Sequence, residues 1–509
     1  MDCKKCMVLI IKISIVAVVM GDNSSNEGLQ KQVIIVGGGI AGLAAARKLQ
    51  NTGQYAVNVL EARRERYGGR IFTDRSSFKL ARGMEVDLGA NWLNSMVKDN
   101  PLAKIVSDGE LEVKSAGSVQ LHFPEKGQVY TGDDANKIFT EFYKITLQAL
   151  KKAADSGKDL DLKKAIQSVL RDEETVADKT LLSSVLESHY TMSLSGHSTQ
   201  LFDPKKEFGW DTGVIDGFDQ IVDILVGGQR KESTVSVELR KPVRQIEVNK
   251  TRNKVLVRTR DLKQYEADAV VVALPLGVLK TETVIFDPPL PKGWKKTIES
   301  IGIGFSNKLV LQFNKVFWPE DIGIFTMVTS YQDDMGMLQT WVNLHRYVNK
   351  PLLMGMLHDK AAVRFENMTD NEIKENAINI LTKLFGEEKM KDITITIVTK
   401  SKWISDNKVL GTTSYPKVGI LPEMFDSLTK PVCPYIYFAG EYTSLEHMNT
   451  AHGAYLSGIR AADQIISNYC AKELSKGKKR ETSKEKTKKD KKSEKKKENQ
   501  NGDKLKDEL

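Results

Sequence analysis

Cysteine is nearly missing from this chain. There are four in 509 residues, and two of them, Cys3 and Cys6, stand at the very start. Only Cys433 and Cys470 remain beyond it, too few for a disulfide framework, so the fold must live on an apolar core; whether those two pair is open. The seven histidines and four cysteines show no metal-ligand spacing, which excludes the familiar zinc patterns. No nucleophile stands at a recognisable spacing from a base, so nothing points to covalent acyl transfer. Beyond the first 21 residues no apolar run approaches the ~20 residues that a membrane-spanning helix needs. Internal repeats are absent as well.

Charge of one sign is also lacking where it would matter. The formal net charge is +9, but residues 471–509 hold 16 Lys/Arg against 9 Asp/Glu, a net of +7, and residues 1–21 contribute the other +2. Residues 22–470 are balanced, and offer no overall field to hold a nucleic acid. Lys4 and Lys5 precede an apolar stretch from Met7 to Met20, interrupted by Lys12, and Gly21 is a small residue suited to cleavage. Residues 1–21 are therefore expected to be a secretory signal peptide. The tail 471–509 has almost nothing apolar to bury and is expected to be a disordered spacer. It ends in Lys506-Asp507-Glu508-Leu509, the address read by the receptor that returns proteins to the endoplasmic reticulum, so residence in that lumen is expected. The sequons at Asn23, Asn249 and Asn367 matter only in such a compartment.

What is present begins with "VIIVGGGIAGLAAARKL" at Val33–Leu49. Gly37, Gly39 and Gly42 stand in a G-x-G-x-x-G pattern between a hydrophobic strand and a helix. That arrangement lets a turn be tight, the backbone approach a pyrophosphate, and the helix pack on the strand with its partial positive charge aimed at the anion. A second strand, "YAVNVLEA", follows, and Glu61 lies 19 residues beyond Gly42, where a carboxylate grips a ribose 2′-hydroxyl and repels a 2′-phosphate. The pattern thus reads as a dinucleotide site that disfavours NADP and leaves NAD or FAD. Further along, helical spacing fills roughly Asn136–Ser195. "STVSVELRKPVRQIEVNKTRNKVLVRT" alternates like strands with "NKTRNK" as a turn, and "DNEIKENAINILTKLFG" reads as a helix before the strand-like "DITITIVTK".

The residues after Glu61, "EARRERYGGR", resemble the glutamate–basic–Gly-Gly-Arg signature of the flavin-containing amine oxidases. Other marks of that family recur in order: "VDLGANWL" at Val86–Leu93, "RKPVRQIEV" at Arg240–Val248, "VVVALPLGVLK" at Val270–Lys280 and "GFSNKLVLQFNKVFW" at Gly304–Trp318. Trp403 before "GTTSY" and "YFAGEYTSLEHMNTAHGAYLSGIRAA" at Tyr437–Ala462 complete the series. The likeness covers about residues 32–468 and is greatest to polyamine oxidases.

This resemblance implies an α/β protein with the two-domain FAD-dependent amine oxidase fold. A Rossmann-like FAD domain would come from residues 31–95, 233–300 and 398–470, and a mixed-sheet and helical substrate domain from 96–232 and 301–397. It implies non-covalent FAD, because the cysteine that carries the covalent link in monoamine oxidases is replaced near Thr412. Gly37, Gly39, Gly42 and Glu61 would hold the ADP half, with Arg63, Gly69 and Arg70 at the pyrophosphate. The signature here has one residue more than usual before Gly-Gly-Arg, so Arg64 or Arg66 stands as an alternative to Arg63. Val243 would reach the adenine through its backbone, and Trp403, Glu441, Thr450 and Ala451 would meet the flavin end.

Lys308 resembles the family lysine that holds a water against flavin N5, and a lysine on an otherwise apolar strand is costly without a partner. Asn94 stands where polyamine oxidases commonly place a histidine or glutamate. The two aromatic cage positions are Thr413 and Thr450, with Tyr415 the nearby aromatic available to lean in. The implied reaction is oxidation of a secondary amine of spermine, spermidine or an acetylated form by O₂, giving an aminoaldehyde, an amine and H₂O₂. Primary monoamines or L-amino acids are the alternative substrates, and a flavin-binding protein with little turnover is the alternative of another class.

Overall fold

The computed structural model describes residues 30–78, 85–93, 100–170, 187, 193–203, 212–214, 217–227, 234–329, 335–432 and 434–468. The leader, the tail, Asn94, Cys433 and Cys470 lie outside the described residues.

Strand β1 (Lys31–Val36) leads through the glycine turn into helix α1 (Ile40–Gln50), and β2 (Tyr55–Leu60) returns beside β1. Far later in sequence, β3 (Ser236–Glu238), β4 (Ala269–Val272) and the strand Ile436–Phe438 complete a five-stranded sheet. Its order is Ile436–Phe438, β4, β1, β2, β3, and every pairing is parallel. Parallel strands covered on both faces need unbroken apolar runs, and Val33–Val36 and Val270–Val272 supply them. Side chains alternate between the faces. Val33 and Ile35 pack with Leu43 of α1 and Ala461 of the closing helix Ala451–Ile466. Ile34 and Val36 pack the other way, on Ile246, Val255 and Val257 of a four-stranded sheet, a three-strand β-meander with a fourth strand in parallel, and on Trp294.

The second layer is a seven-stranded mixed sheet around β5 (Ser306–Phe313), which lies between the strands Ile395–Lys400 and Leu352–His358. Leu309, Leu311 and Phe313 face helix α2 (Asp359–Glu366) and the helix Asp370–Phe385. That second helix starts with a reciprocal Thr369–Glu372 capping box, the local signal that fixes its first turn. Val310 faces the opposite way, onto Val86 and Leu88. Strand period therefore sends Lys308 toward residues 86–91 and Asn307 toward α2.

The helices Pro101–Asp108 and Gln220–Val226 differ from the expected domain boundaries. Both fall in segments assigned to the second domain, yet Leu102, Val106, Ile221, Val222 and Leu225 pack into the core beside α1. Gln220–Val226 covers a flank of α1 that would otherwise meet water, and Pro101–Asp108 packs on it and on the closing helix. A composition shift along the chain carries no trace of that contact.

Candidate active site

The glycine turn is built as its spacing requires. Gly37 has φ +108°, and a Cβ there would stand 2.6 Å from the Ala273 carbonyl oxygen. A Cβ on Gly42 would come within 2.1 Å of the Gly37 carbonyl oxygen, so only glycine lets α1 seat on the turn. At Gly39 the position a Cβ would take has no atom within 4 Å: the backbone is bare on its open side, just where α1 begins. The Gly68-Gly69-Arg70 turn lies against it, with Gly68 N–H donating to the Gly38 carbonyl at 2.7 Å and a Gly69 Cβ position 3.3 Å from Gly39 Cα. Glu61, buried at the end of β2, accepts from Gly38 N–H at 2.8 Å and from Arg63 N–H at 2.7 Å. The carboxylate is thus pinned between the glycine turn and the segment that follows β2.

The arginines that follow part company. Arg66 turns away and donates to the carbonyls of Tyr67, Gly69 and Ile71, stacked over Phe72. Arg63 reaches inward, paired to Asp406 and 5.9 Å from the Trp403 ring, while Arg64 is exposed on the rim. Arg70 makes a bidentate pair with Glu441, at 2.6 and 3.2 Å, and also donates to the Thr412 carbonyl at 2.8 Å. Burial would raise the Glu441 carboxyl, but Arg70 and the Ser414 hydroxyl together hold it below the usual carboxylate range.

Lys308 is 7% exposed. Its Nζ donates to the carbonyls of Asp87 (3.2 Å) and Gly89 and to Asn91 Oδ1 (2.8 Å), one acceptor for each N–H of an ammonium. Burial pulls its pKa down to about 8, against the upward pull of the Asp87 carboxylate. The buried Trp403 donates its indole N–H to the Leu88 carbonyl at 3.1 Å, so both side chains are tied to the same short segment. Thr450 caps the closing helix, accepting from Gly453 N–H at 2.9 Å, with Ala451 as the first helical residue.

One cavity of about 790 Å³ joins these parts. Its wall includes Gly37, Gly39, Glu61, Gly69 and Val243 toward one end and Lys308, Trp403, Thr413, Glu441, Thr450 and Ala451 toward the other, with Arg63 beside Trp403 and Arg70 on Glu441 joining the two. Gly42 stands behind the wall. Tyr415 does not reach the cavity, which corrects the expectation that it leans in. Its ring stacks on His197, with centroids 4.0 Å apart and planes at 16°, above Gly302, where a Cβ would stand 2.2 Å from the ring. Four contributors escaped the sequence reading: Asn91, Asn307, Asp406 and Asn449, the last on the wall at φ +64°. Asn307 alone had a local signal, its place next to Lys308.

Residues 40–466 match the family of flavin containing amine oxidoreductases. The chain belongs to that family. This amine oxidase is 30% identical over 469 residues to polyamine oxidase 3 of Oryza sativa subsp. japonica, covering 87% of this chain and 91% of that one. It is 30% identical to polyamine oxidase 2 of Arabidopsis thaliana, covering 85% and 87% respectively. Lysine-specific histone demethylase 2 of Homo sapiens is 29% identical over 86% of this chain and 53% of its own length. A solved putrescine oxidase variant redesigned in cofactor binding superposes with TM-score 0.68 at 21% identity, over 86% of this chain and 99% of that one, which confirms the fold. The protein is a flavin-dependent amine oxidase and its cofactor is FAD. The bare backbone over Gly39 and a cavity that runs from the glycine turn to Lys308 and Ala451 fit that extended group.

Four buried histidines set an acid limit on the amine oxidase. Burial pulls His122, His197, His358 and His452 each down to about 4 from an ordinary 6.5. Between those values the unfolded chain binds more protons than the folded one, so stability falls as pH falls, by roughly 1.4 kcal/mol per pH unit for each histidine. The urea midpoint should drop steeply on acidification through that window. A midpoint that stays level there would show the histidines to be solvated.

Proposed function

We propose that this amine oxidase oxidises a secondary amine of a polyamine, spermine, spermidine or an acetylated form, with O₂ to an aminoaldehyde, an amine and H₂O₂. The observation that carries this reading is how the wall arginines are engaged. Arg63 and Arg70, on the wall toward Lys308, are already ion-paired to Asp406 and Glu441. Of the other wall arginines, Arg64 is exposed on the rim, and Arg240 and Arg260 belong to the segment at the Glu61 and Val243 end, where their backbone N–H groups donate to the carbonyls of Arg63 and Pro242. Among the described residues no arginine stands free beside Lys308 to grip an amino acid's carboxylate in two-pronged fashion. An amine needs no such partner, and the polyamine oxidase relatives run nearly the length of this chain.

In this reading the glycine turn, Gly69 and Glu61 hold the ADP half of FAD, with Arg63 and Arg70 alongside the pyrophosphate and the Val243 backbone at the adenine. Glu441, Thr450 and Ala451 meet the flavin end, where the start of the closing helix favours negative charge. FAD supplies the hydride acceptor. Thr412, at the position where the family resemblance places the linking cysteine, stands on the wall, so in this reading the cofactor is held without a covalent bond. Lys308 offers a proton-bearing Nζ at the reacting end, where a water takes one N–H in exchange for the Asn91 amide. The apolar strand around it keeps other water away, which favours the neutral amine that can react.

The deciding experiment measures oxygen uptake and peroxide with spermine, spermidine, N-acetylspermine, a primary monoamine and an L-amino acid. Aldehyde and peroxide from the polyamines are expected. Peroxide from the amino acid or the monoamine alone would overturn the substrate, and none from any compound despite bound FAD would overturn the activity.

A further inference from the structure

We propose that Glu366 is a positioning residue for the reacting end of the cavity, locking the loop that carries Trp403 and the strand that carries Lys308 into one register. The inference rests on the placement of those two residues at the flavin given above.

Glu366 is the last residue of α2, where the negative end of a helix disfavours a carboxylate. Its surroundings more than offset this. Oε1 accepts from the Asn307 side-chain amide at 2.8 Å and from Ile404 N–H at 2.9 Å, and Oε2 accepts from Ser405 N–H at 2.9 Å. Burial would raise its pKa, but these donors hold it below the usual carboxylate range. The held groups lead directly to the site. Asn307, 1% exposed, uses its amide oxygen to accept from the Ser401 hydroxyl at 2.9 Å and from Trp403 N–H at 3.1 Å. Ser401 Oγ in turn accepts from Lys308 N–H at 2.8 Å, and Ser401 N–H donates to the Lys308 carbonyl at 2.9 Å. One carboxylate therefore fixes the backbone on both sides of the Lys308–Trp403 pair, while Leu88 and Gly89 take their side-chain N–H groups from the opposite side. With Asn307 alone, the loop would keep its bonds to residues 403 and 401 but lose those to 404 and 405.

The test uses the FAD-loaded full chain and its FAD-free form, with Glu366→Gln, which keeps shape but turns one acceptor into a donor. Hydrogen exchange at Ile404 and Ser405 N–H should speed up about tenfold in both forms. In anaerobic stopped flow with spermine, the limiting rate of flavin bleaching should fall about tenfold, with the amine Kd held within about twofold and the visible flavin band shifted. Faster exchange with an unchanged rate per bound flavin would reduce Glu366 to a structural brace and overturn the proposal, as would unchanged exchange. If the glutamine variant does not accumulate, Glu366→Asp, one methylene shorter with its charge kept, is read by the same measures. Lys308→Met run in parallel separates the two levels: a wild-type rate there would sink the site reading itself.

Discussion

Lys308→Met should slow anaerobic reduction of the flavin by spermine about 100-fold or more, the range that a positioned proton-handling group contributes, while FAD stays bound. Methionine fills nearly the same volume and carries no N–H, so it deletes the contact with any water at the reacting end. It also strands the acceptors that Nζ now satisfies, the carbonyls of Asp87 and Gly89 and the Asn91 amide. Each stranded group costs about 1–3 kcal/mol, partly offset because a buried ammonium no longer has to be desolvated. The rate must therefore be normalised to bound flavin. A variant that retains its colour and bleaches at the parental rate would remove Lys308 from the chemistry.

Arg70→Met is expected to have the largest effect on stability. Glu441 is 4% exposed, and without Arg70 its side-chain partner among the described residues is the Ser414 hydroxyl. Breaking a buried pair on one side costs about 3–5 kcal/mol. The variant should melt well below the parent, lose FAD on gel filtration and release Thr412 from its tether. Adding Glu441→Gln should restore part of the loss, because an amide needs no counter-charge. If Arg70→Met alone melts like the parent, the pair carries little of the fold.

Local features account for what the sequence made legible. An apolar run, a glycine pattern and a strand ending in glutamate are all decided within about thirty residues, so β1, α1, β2 and the floor under Gly39 could be read directly. Lys308 stood out because a charge on an apolar strand demands a partner. Tyr415 shows where the reading stops. It shares the strand face of Thr413, the two pairing with Gly302 and Gly304 respectively. Two residues along a strand are about 7 Å, enough to carry the ring past the cavity and onto His197, which arrives from a remote segment. The same holds for Arg63 with Asp406 and for Glu366 with residues 404 and 405. Which acidic group closes on which donor is settled by tertiary packing, and no spacing along the chain encodes it.

The parallel sheet has an implication for biosynthesis. Its middle strand is β1, made first, but the neighbour beyond β4 is Ile436–Phe438, and the helix that covers β1 ends at Ile466. At about 5–20 residues per second, a ribosome needs roughly 20–90 s to go from one to the other. Throughout that interval the nascent chain carries a half-built nucleotide cradle with an unpaired hydrophobic edge. Cofactor loading must therefore be a late, essentially post-translational event, and premature termination anywhere before the last helix should yield aggregates, not a smaller flavoprotein.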